Sequence, residues 1–293
     1  MKVTREAGRA APVWERLADG VHRVRLPVWD CTVGLVVGAG SALLVDAGSS
    51  LAEGAWLRAG AERLAGGRVT LLALTHPHFD HVFGAAAFPG AEVFAAAGAG
   101  AVLGGGAPGG VGDGVGGASG GAGGVRGGAS GLLGGAGGLL GGAGGGGAGA
   151  RAELRDDAVA HGLAPRAADE AAAALVRPDR EVSDRLALSL GGGQEAVLAD
   201  VGPGHTGHDL AVLAPASAPG ERPVVFCGDL VEESGEPQAG PDAVPSRWPA
   251  ALDRLLALGG EDALYVPGHG AVVDVGFVRA QRDALATRFG VSP

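Results

Sequence analysis

The sequence predicts an α+β fold in which two β-sheets pack face to face with helices outside them. Three observations carry this. Strand-like runs recur in both halves of the 293-residue chain, each half also supplies helix-like segments, and polar loops follow the strand ends. Between residues 21 and 48, VHRVRLPV, TVGLVVG and ALLVDAG read as three strands of a meander, parted by glycine breaks. Ser50 then opens a helix. Ser50 and Glu53 match a capping box, and Gly66-Gly67 closes the segment. VTLLAL (69–74) is a buried strand running into the polar loop THPHFDH, and AEVFA (91–95) is the next strand.

Further along, residues 152–161 and 167–176 read as two helices. RLALSL, QEAVLADV, LAVLAP (210–215) and PVVFCGD (223–229) resume strand character. Residues 249–258 form a helix with proline in its first turn. ALYVPGHG is a strand passing into a loop, and residues 277–289 are the closing helix.

Glycine is distributed unevenly. The chain has 58 glycines, and residues 98–149 hold 29 of them in 52 positions, including the tandem LLGGAGG LLGGAGG at 132–145. This stretch lacks the strict every-third glycine of collagen. It is too poor in apolar side chains to offset a backbone entropy of ~1–2 kcal/mol per residue. It is therefore expected to be a low-complexity, disordered insertion within one domain spanning 1–293. Every motif with chemistry lies outside it, so removing 98–149 is expected to leave that chemistry intact.

The formal net charge of −10 provides no basic footprint, which argues against nucleic acid as a partner. Two cysteines are too few for a disulfide framework, and residues 1–19 contain no apolar signal-peptide core. No apolar run outside Gly/Ala sequence is long enough to span a bilayer. The expectation is a cytoplasmic protein without membrane contact that acts on a small molecule.

Six of the eight histidines fall in three loops, each after a strand. His76 and His78 stand two apart in extended backbone and point to one side, and Pro77 blocks a helix that would rotate them apart. With Asp80 and His81, the first loop gathers three imidazoles and a carboxylate within six residues, a donor set suited to zinc or a similar borderline metal. His205 and His208 lie in the second loop, GPGHTGH. Asp229 ends CGD, and His269 sits in PGHG, where the neighbouring glycines allow tight turns.

In this order, the motifs resemble the metallo-β-lactamase superfamily, and closely the bacterial glyoxalase II-like type. The resemblance covers most of the chain apart from 98–149. It implies an αββα four-layer sandwich. It also implies that His76, His78 and His205 hold one divalent metal, that Asp80, His81 and His269 hold a second, and that Asp229 bridges them. Asp46, ending LLVDAG, matches the family's buried aspartate that orients the ligand loop. Asp80 is the candidate catalytic group, guiding a proton of the attacking water. Zinc suits the ligands best, and iron or manganese is compatible.

His208 is expected to contact substrate or a ligand, or simply to pack. Cys227 is read as a small buried hydrophobe on the strand that carries Asp229. Glu232 and Glu233 are read as solvated loop charges, and His22 and His161 receive no role. Glutamate does not replace His78, and no flavodoxin domain fits the length, so hydrolysis is favoured over oxygen reduction. Only 24 residues follow His269, too few for a helical glutathione-binding region. The expected function is a binuclear metallo-hydrolase acting on an ester, thioester, lactone or lactam. The alternative, a non-catalytic metal-binding or interaction module, is disfavoured because all seven ligand positions are filled.

Overall fold

The computed structural model describes residues 12–104 and 148–291. The readings made on the N-terminal stretch before residue 12 and on most of the glycine-rich block, 105–147, lie outside the described residues. Among the described residues, one sheet carries seven strands in spatial order: β1 (Glu15–Ala18), β2 (Val21–Arg25), β3 (Thr32–Val37), β4 (Ala42–Val45), β5 (Leu71–Ala73), β6 (Glu92–Ala96) and β7 (Arg180–Val182). Pairing is antiparallel from β1 to β4 and parallel from β4 to β7. The second sheet runs β8 (Arg185–Gly191), β9 (Gln194–Asp200), β10 (Leu210–Ala214), β11 (Val224–Glu232) and β12 (Leu264–His269). Only β11 and β12 pair in parallel there.

Parallel neighbours require a crossover, and helices supply it. α1 (Leu51–Ala65) joins β4 to β5, and α6 (Trp248–Gly259) joins β11 to β12. Between β5 and β6 lies the short α2 (Phe79–Val82). Between β6 and β7 lie α3 (Ala99–Leu103), α4 (Ala148–Ala160) and α5 (Pro165–Ala173). α7 (Val275–Phe289) closes the described chain. Among the described residues no helix is long and apolar enough to cross a membrane.

Alternation along the strands sorts the side chains into three cores. In β3 and β4, Val33, Leu35 and Leu44 face α1, where they meet Leu57 and Ala61. Val36, Leu43 and Val45 point the other way, into the space between the sheets, with Leu198, Val212 and Phe226. On the far face of the second sheet, Val225, Cys227 and Tyr265 pack under Trp248, Leu252 and Leu255 of α6 and Leu285 of α7. Each fully buried large apolar side chain contributes roughly 1.5–3 kcal/mol. The result is the four-layer αββα sandwich.

Two expectations are refined. The block predicted at 98–149 is too wide, because α3 and the start of α4 lie within it. Leu103 is fully buried in the same apolar core as Leu154 and Ala158 of α4, so the first edge of the block belongs to that core. The capping box is also only half reciprocal. Ser50 Oγ accepts from Glu53 N, but the Glu53 carboxylate accepts from Ser49 N rather than reaching back to Ser50.

The sheets approach closely at Gly34 of β3. A Cβ there would lie 2.4 Å from the Phe226 ring of β11. Gly34→Ala is therefore expected to cost about 1–3 kcal/mol by overpacking. Phe226→Leu in the same chain should recover part of that loss in a double-mutant cycle read by urea denaturation. Additive effects would show that the glycine is not fitted to this ring.

Candidate metal centre

The chemistry gathers where the strand ends of both sheets meet. After β5 the chain bends at residues 75–77, is extended at His78, and then makes one helical turn, in which His81 N donates to His78 O. That turn brings Asp80 and His81 back toward His76, whose ring centroid lies 4.2 Å from that of His81. His205 follows β9, and Arg254 holds its loop by donating to the carbonyls of Val201 and Gly202. Asp229 lies within β11 and His269 ends β12.

A bulge in β11 aims Asp229. Pairing with β12 shifts between Phe226 and Gly228, and Gly228 adopts φ 54°, so alternation breaks at this point. Cys227 stays in the outer core under α6, as the small buried hydrophobe expected, while Asp229 two residues on turns into the site. Gly268 is required beside it, because a Cβ there would lie 1.8 Å from Asp229 Oδ1.

Two groups share one carboxylate. His76, His78, His205 and Asp229 place donor atoms within 4.8 Å of one another, and so do His81, Asp229 and His269. Asp80 Oδ2 lies 3.4 Å from His269 Nε2 and 3.7 Å from His81 Nε2. The seven residues expected as ligands are thus brought together. His208 is not in either group. It donates through Nδ1 to Ala97 O at 2.8 Å and tethers the His205 loop to the end of β6.

The outward nitrogen of four imidazoles has an acceptor, which sets the tautomer. Asp46 is at the centre of this order. Its carboxylate accepts from Thr75 N at 2.8 Å, from Thr75 Oγ at 2.9 Å and from His81 Nδ1 at 2.8 Å. Because the Thr75 hydroxyl proton is committed to Asp46, its oxygen accepts from His76 Nδ1 at 3.0 Å. His269 Nδ1 donates to Trp29 O at 2.8 Å. A carboxylate only accepts, so His78 Nε2 is the donor to Asp242 Oδ2 at 3.1 Å. In the neutral ring the inward nitrogen of each of these four is a lone pair.

This donor set fits a divalent cation. His76 Nε2 and Asp229 Oδ1 are buried without a hydrogen-bond partner. His78 Nδ1 faces His205 Nε2 at 3.0 Å, and His205 Nδ1 is likewise buried without a partner. Burial drives His205 down to about 4 and His76 well below its usual value, keeping both neutral as ligands must be. Burial would raise Asp229, but His269, His81 and His76 hold it well below the ordinary carboxylate range. His269 is opposed by burial and raised to about 9 by Asp229.

Several residues at the site escaped the sequence reading. Cys31, read only as an indicator of redox compartment, lies with its sulfur 3.8 Å from both ring nitrogens of His81. Equal distances put the sulfur against the ring rather than on the Nε2 lone-pair line, and burial pushes the thiol up to about 12. It donates to Asp80 O at 3.3 Å, and its sulfur forms with Asp80 and His81 a third group of donor atoms within 4.8 Å of one another. Asp209 is buried and accepts from Thr206 N and Oγ, shaping the turn that carries His205. Glu232, expected to be solvated, is instead buried, because β11 continues to pair with β12 as far as His269; burial and the neighbouring Asp229 raise it to about 7. His161 stacks on Phe79 at 5.9 Å.

Asp46→Ala removes the acceptor from three donors and leaves Thr75 N and His81 Nδ1 buried without a partner. The expected loss is roughly 1–3 kcal/mol for each orphaned group, read by denaturation in the presence of a chelator. A change under about 0.5 kcal/mol would contradict this role.

A family model described as the metallo-beta-lactamase superfamily matches residues 26–269. A search of curated proteins found no match. Among solved structures, VMB-1 at pH 5.5 aligns with TM-score 0.60 and 16% identity, covering 96% of this chain and 99% of that one. The metallo-β-lactamase from Pontibacter korlensis aligns with TM-score 0.59 and 18% identity, covering 94% and 99%. FIM-1 from Pseudomonas aeruginosa, in a mono-zinc form, aligns with TM-score 0.58 and 16% identity, covering 96% and 97%. These likenesses concern the fold, while the family match spans most of the chain and encloses both donor groups. The chain is a metallo-hydrolase that belongs to the metallo-β-lactamase superfamily.

Proposed function

We propose that the chain is a binuclear hydrolase that opens an ester, thioester, lactone or lactam bond of a small molecule. The observation that carries this reading is the membership of Asp229 in both donor groups. His76, His78 and His205 would hold the first cation, and Asp80, His81 and His269 the second, with Asp229 shared between them. Zinc suits these nitrogen and carboxylate donors best. When bound, two such ions supply Lewis acidity to a carbonyl and lower the pKa of water from 15.7 toward ~7.

The chain's own residues supply the rest. Neutral His76 and His205 present Nε2 lone pairs without first losing a proton. Asp80 Oδ2, between the Nε2 atoms of His81 and His269, is placed to take a proton from the attacking water. Asp46 fixes one imidazole of each group, directly for His81 and through Thr75 for His76. His208 acts as a tether of the His205 loop. The whole chain functions as one domain, with the glycine-rich stretch inserted between α3 and α4.

The purified chain is expected to carry close to two zinc ions and to hydrolyse members of a panel of chromogenic esters, thioesters, lactones and β-lactams in a chelator-sensitive way. Asp229→Ala should lower both metal content and turnover by more than the ~10–100-fold typical of outer contacts. Fewer than one metal per chain with no chelator-sensitive turnover would overturn the proposal.

The two cations should also differ in their response to pH. A cation at the second group must displace the proton held on His269 below about 9 and the one that the surrounding acidic groups favour on His81, so its binding weakens by at least about tenfold for each pH unit below that value. In the first group His205 and His76 are lowered by burial and only His78 is raised, by Asp242 against its burial, whereas both imidazoles of the second group are raised. Equilibrium dialysis at limiting zinc from pH 9 to pH 6 should therefore show the second ion leaving first. Loss of both ions together would contradict the assignment.

A further inference from the structure

Among the imidazoles of the two donor groups, His78 is turned the other way round. His76, His81 and His269 direct Nε2 inward and spend Nδ1 on an acceptor, whereas His78 directs Nδ1 toward His205 and spends Nε2 on Asp242. The acceptors also differ in character. Those of His76 and His81 lead to the buried Asp46, but the Asp242 side chain is 47% exposed and belongs to the loop between β11 and α6. Two further contacts hold that loop in place. Ala243 N donates to Gly240 O, closing the turn that carries Asp242, and Val244 N donates to Gly204 O, next to His205. One short segment thus grips the residue beside one first-group histidine and the outer nitrogen of another.

Resting on the binuclear reading above, we propose that Asp242 is the positioning residue that holds His78 with Nδ1 toward the first cation and so sets that cation's affinity. A free imidazole ring can flip about its Cβ–Cγ bond and exchange its tautomer. An acceptor on Nε2 removes both freedoms and makes Nδ1 the more basic donor. The His78 ring has no other hydrogen-bond partner besides His205 among the described residues. The loop thereby becomes part of the metal site although it contributes no ligand.

The test uses the full-length chain loaded with zinc. Competition with a chromogenic chelator reads the two dissociation constants, and long-range nitrogen–proton NMR reads the tautomer of His78. Asp242→Ala is expected to weaken the first zinc about 10–100-fold, to leave the second within about threefold, and to abolish the protected His78 Nε2–H signal. Asp242→Asn, which keeps an acceptor oxygen, should restore most of the affinity and the signal. An unchanged first-site affinity in Asp242→Ala with the signal retained overturns the proposal, as does an Asn variant as weak as the Ala variant. If the wild-type chain binds no zinc, the binuclear reading falls and this one with it. Two bound zinc ions with affinities indifferent to residue 242 overturn this proposal alone.

Discussion

The carboxylate of Asp46 is the contact on which the site depends. It is 1% exposed, directly follows β4, and sits at φ 65°, a left-handed conformation that aspartate tolerates better than most side chains. Three donors converge on its two oxygens, and no other side chain meets that demand at this length. Asparagine would turn an NH2 group toward a donor, and glutamate would overrun the distance. The backbone reinforces the contact: Asp46 N donates to Ala73 O, and Ala47 N to His81 O. The end of β4 is therefore stitched to the loop after β5 at five points. That loop carries four of the seven metal-binding candidates, so the precision of the centre is inherited from a parallel strand pair buried in the core.

The remaining candidates reach the same place from the other sheet. β11 and β12 are its parallel pair, so their ends also open on one side, and Asp229 and His269 emerge there together. Packing constrains their approach. Gly268 leaves room for the Asp229 carboxylate, and Trp248, fully buried, sets its ring 5.4 Å from His205 and donates through Nε1 to Leu230 O. Five imidazoles and two carboxylates thus meet in a region of low dielectric. There, unpaired lone pairs are costly unless a cation satisfies them.

The layers were legible in the sequence because period-two alternation and caps are local signals. β1 (ERLA) and β7 (REV) escaped, since they lack the apolar run that marks the equally short β4 and β5. The ligand motifs were legible for a related reason: each is compact and follows a strand. What escaped was nonlocal. Asp242 meets His78 across 164 positions, and nothing in its GPD context marks it. Cys31 and Cys227 look alike in sequence, yet the bulge at Gly228 sends the one near Asp229 to the outer core, while Cys31 packs against His81. Glu232 looked solvated because the composition around it is loop-like, but register with β12 buries it. Asp209 carried a faint signal, a Thr-x-x-Asp spacing suited to a side-chain-closed turn.

The outer contacts of the imidazoles divide by origin. Those of His76 and His81 come from the core through Asp46. Those of His269 and His78 come from loops, through the Trp29 carbonyl between β2 and β3 and through Asp242 between β11 and α6. Neither loop is free to vary independently of the metals. A change that reshaped the β2–β3 loop to suit a different substrate would also move the acceptor of His269, and with it the basicity and direction of a ligand. In this chain, these two loops and the candidate metal-binding imidazoles are therefore mechanically linked, one loop to each donor group. The Asp46 network can remain fixed while either group is tuned from the rim, because the rigid and adjustable contacts fall on different histidines.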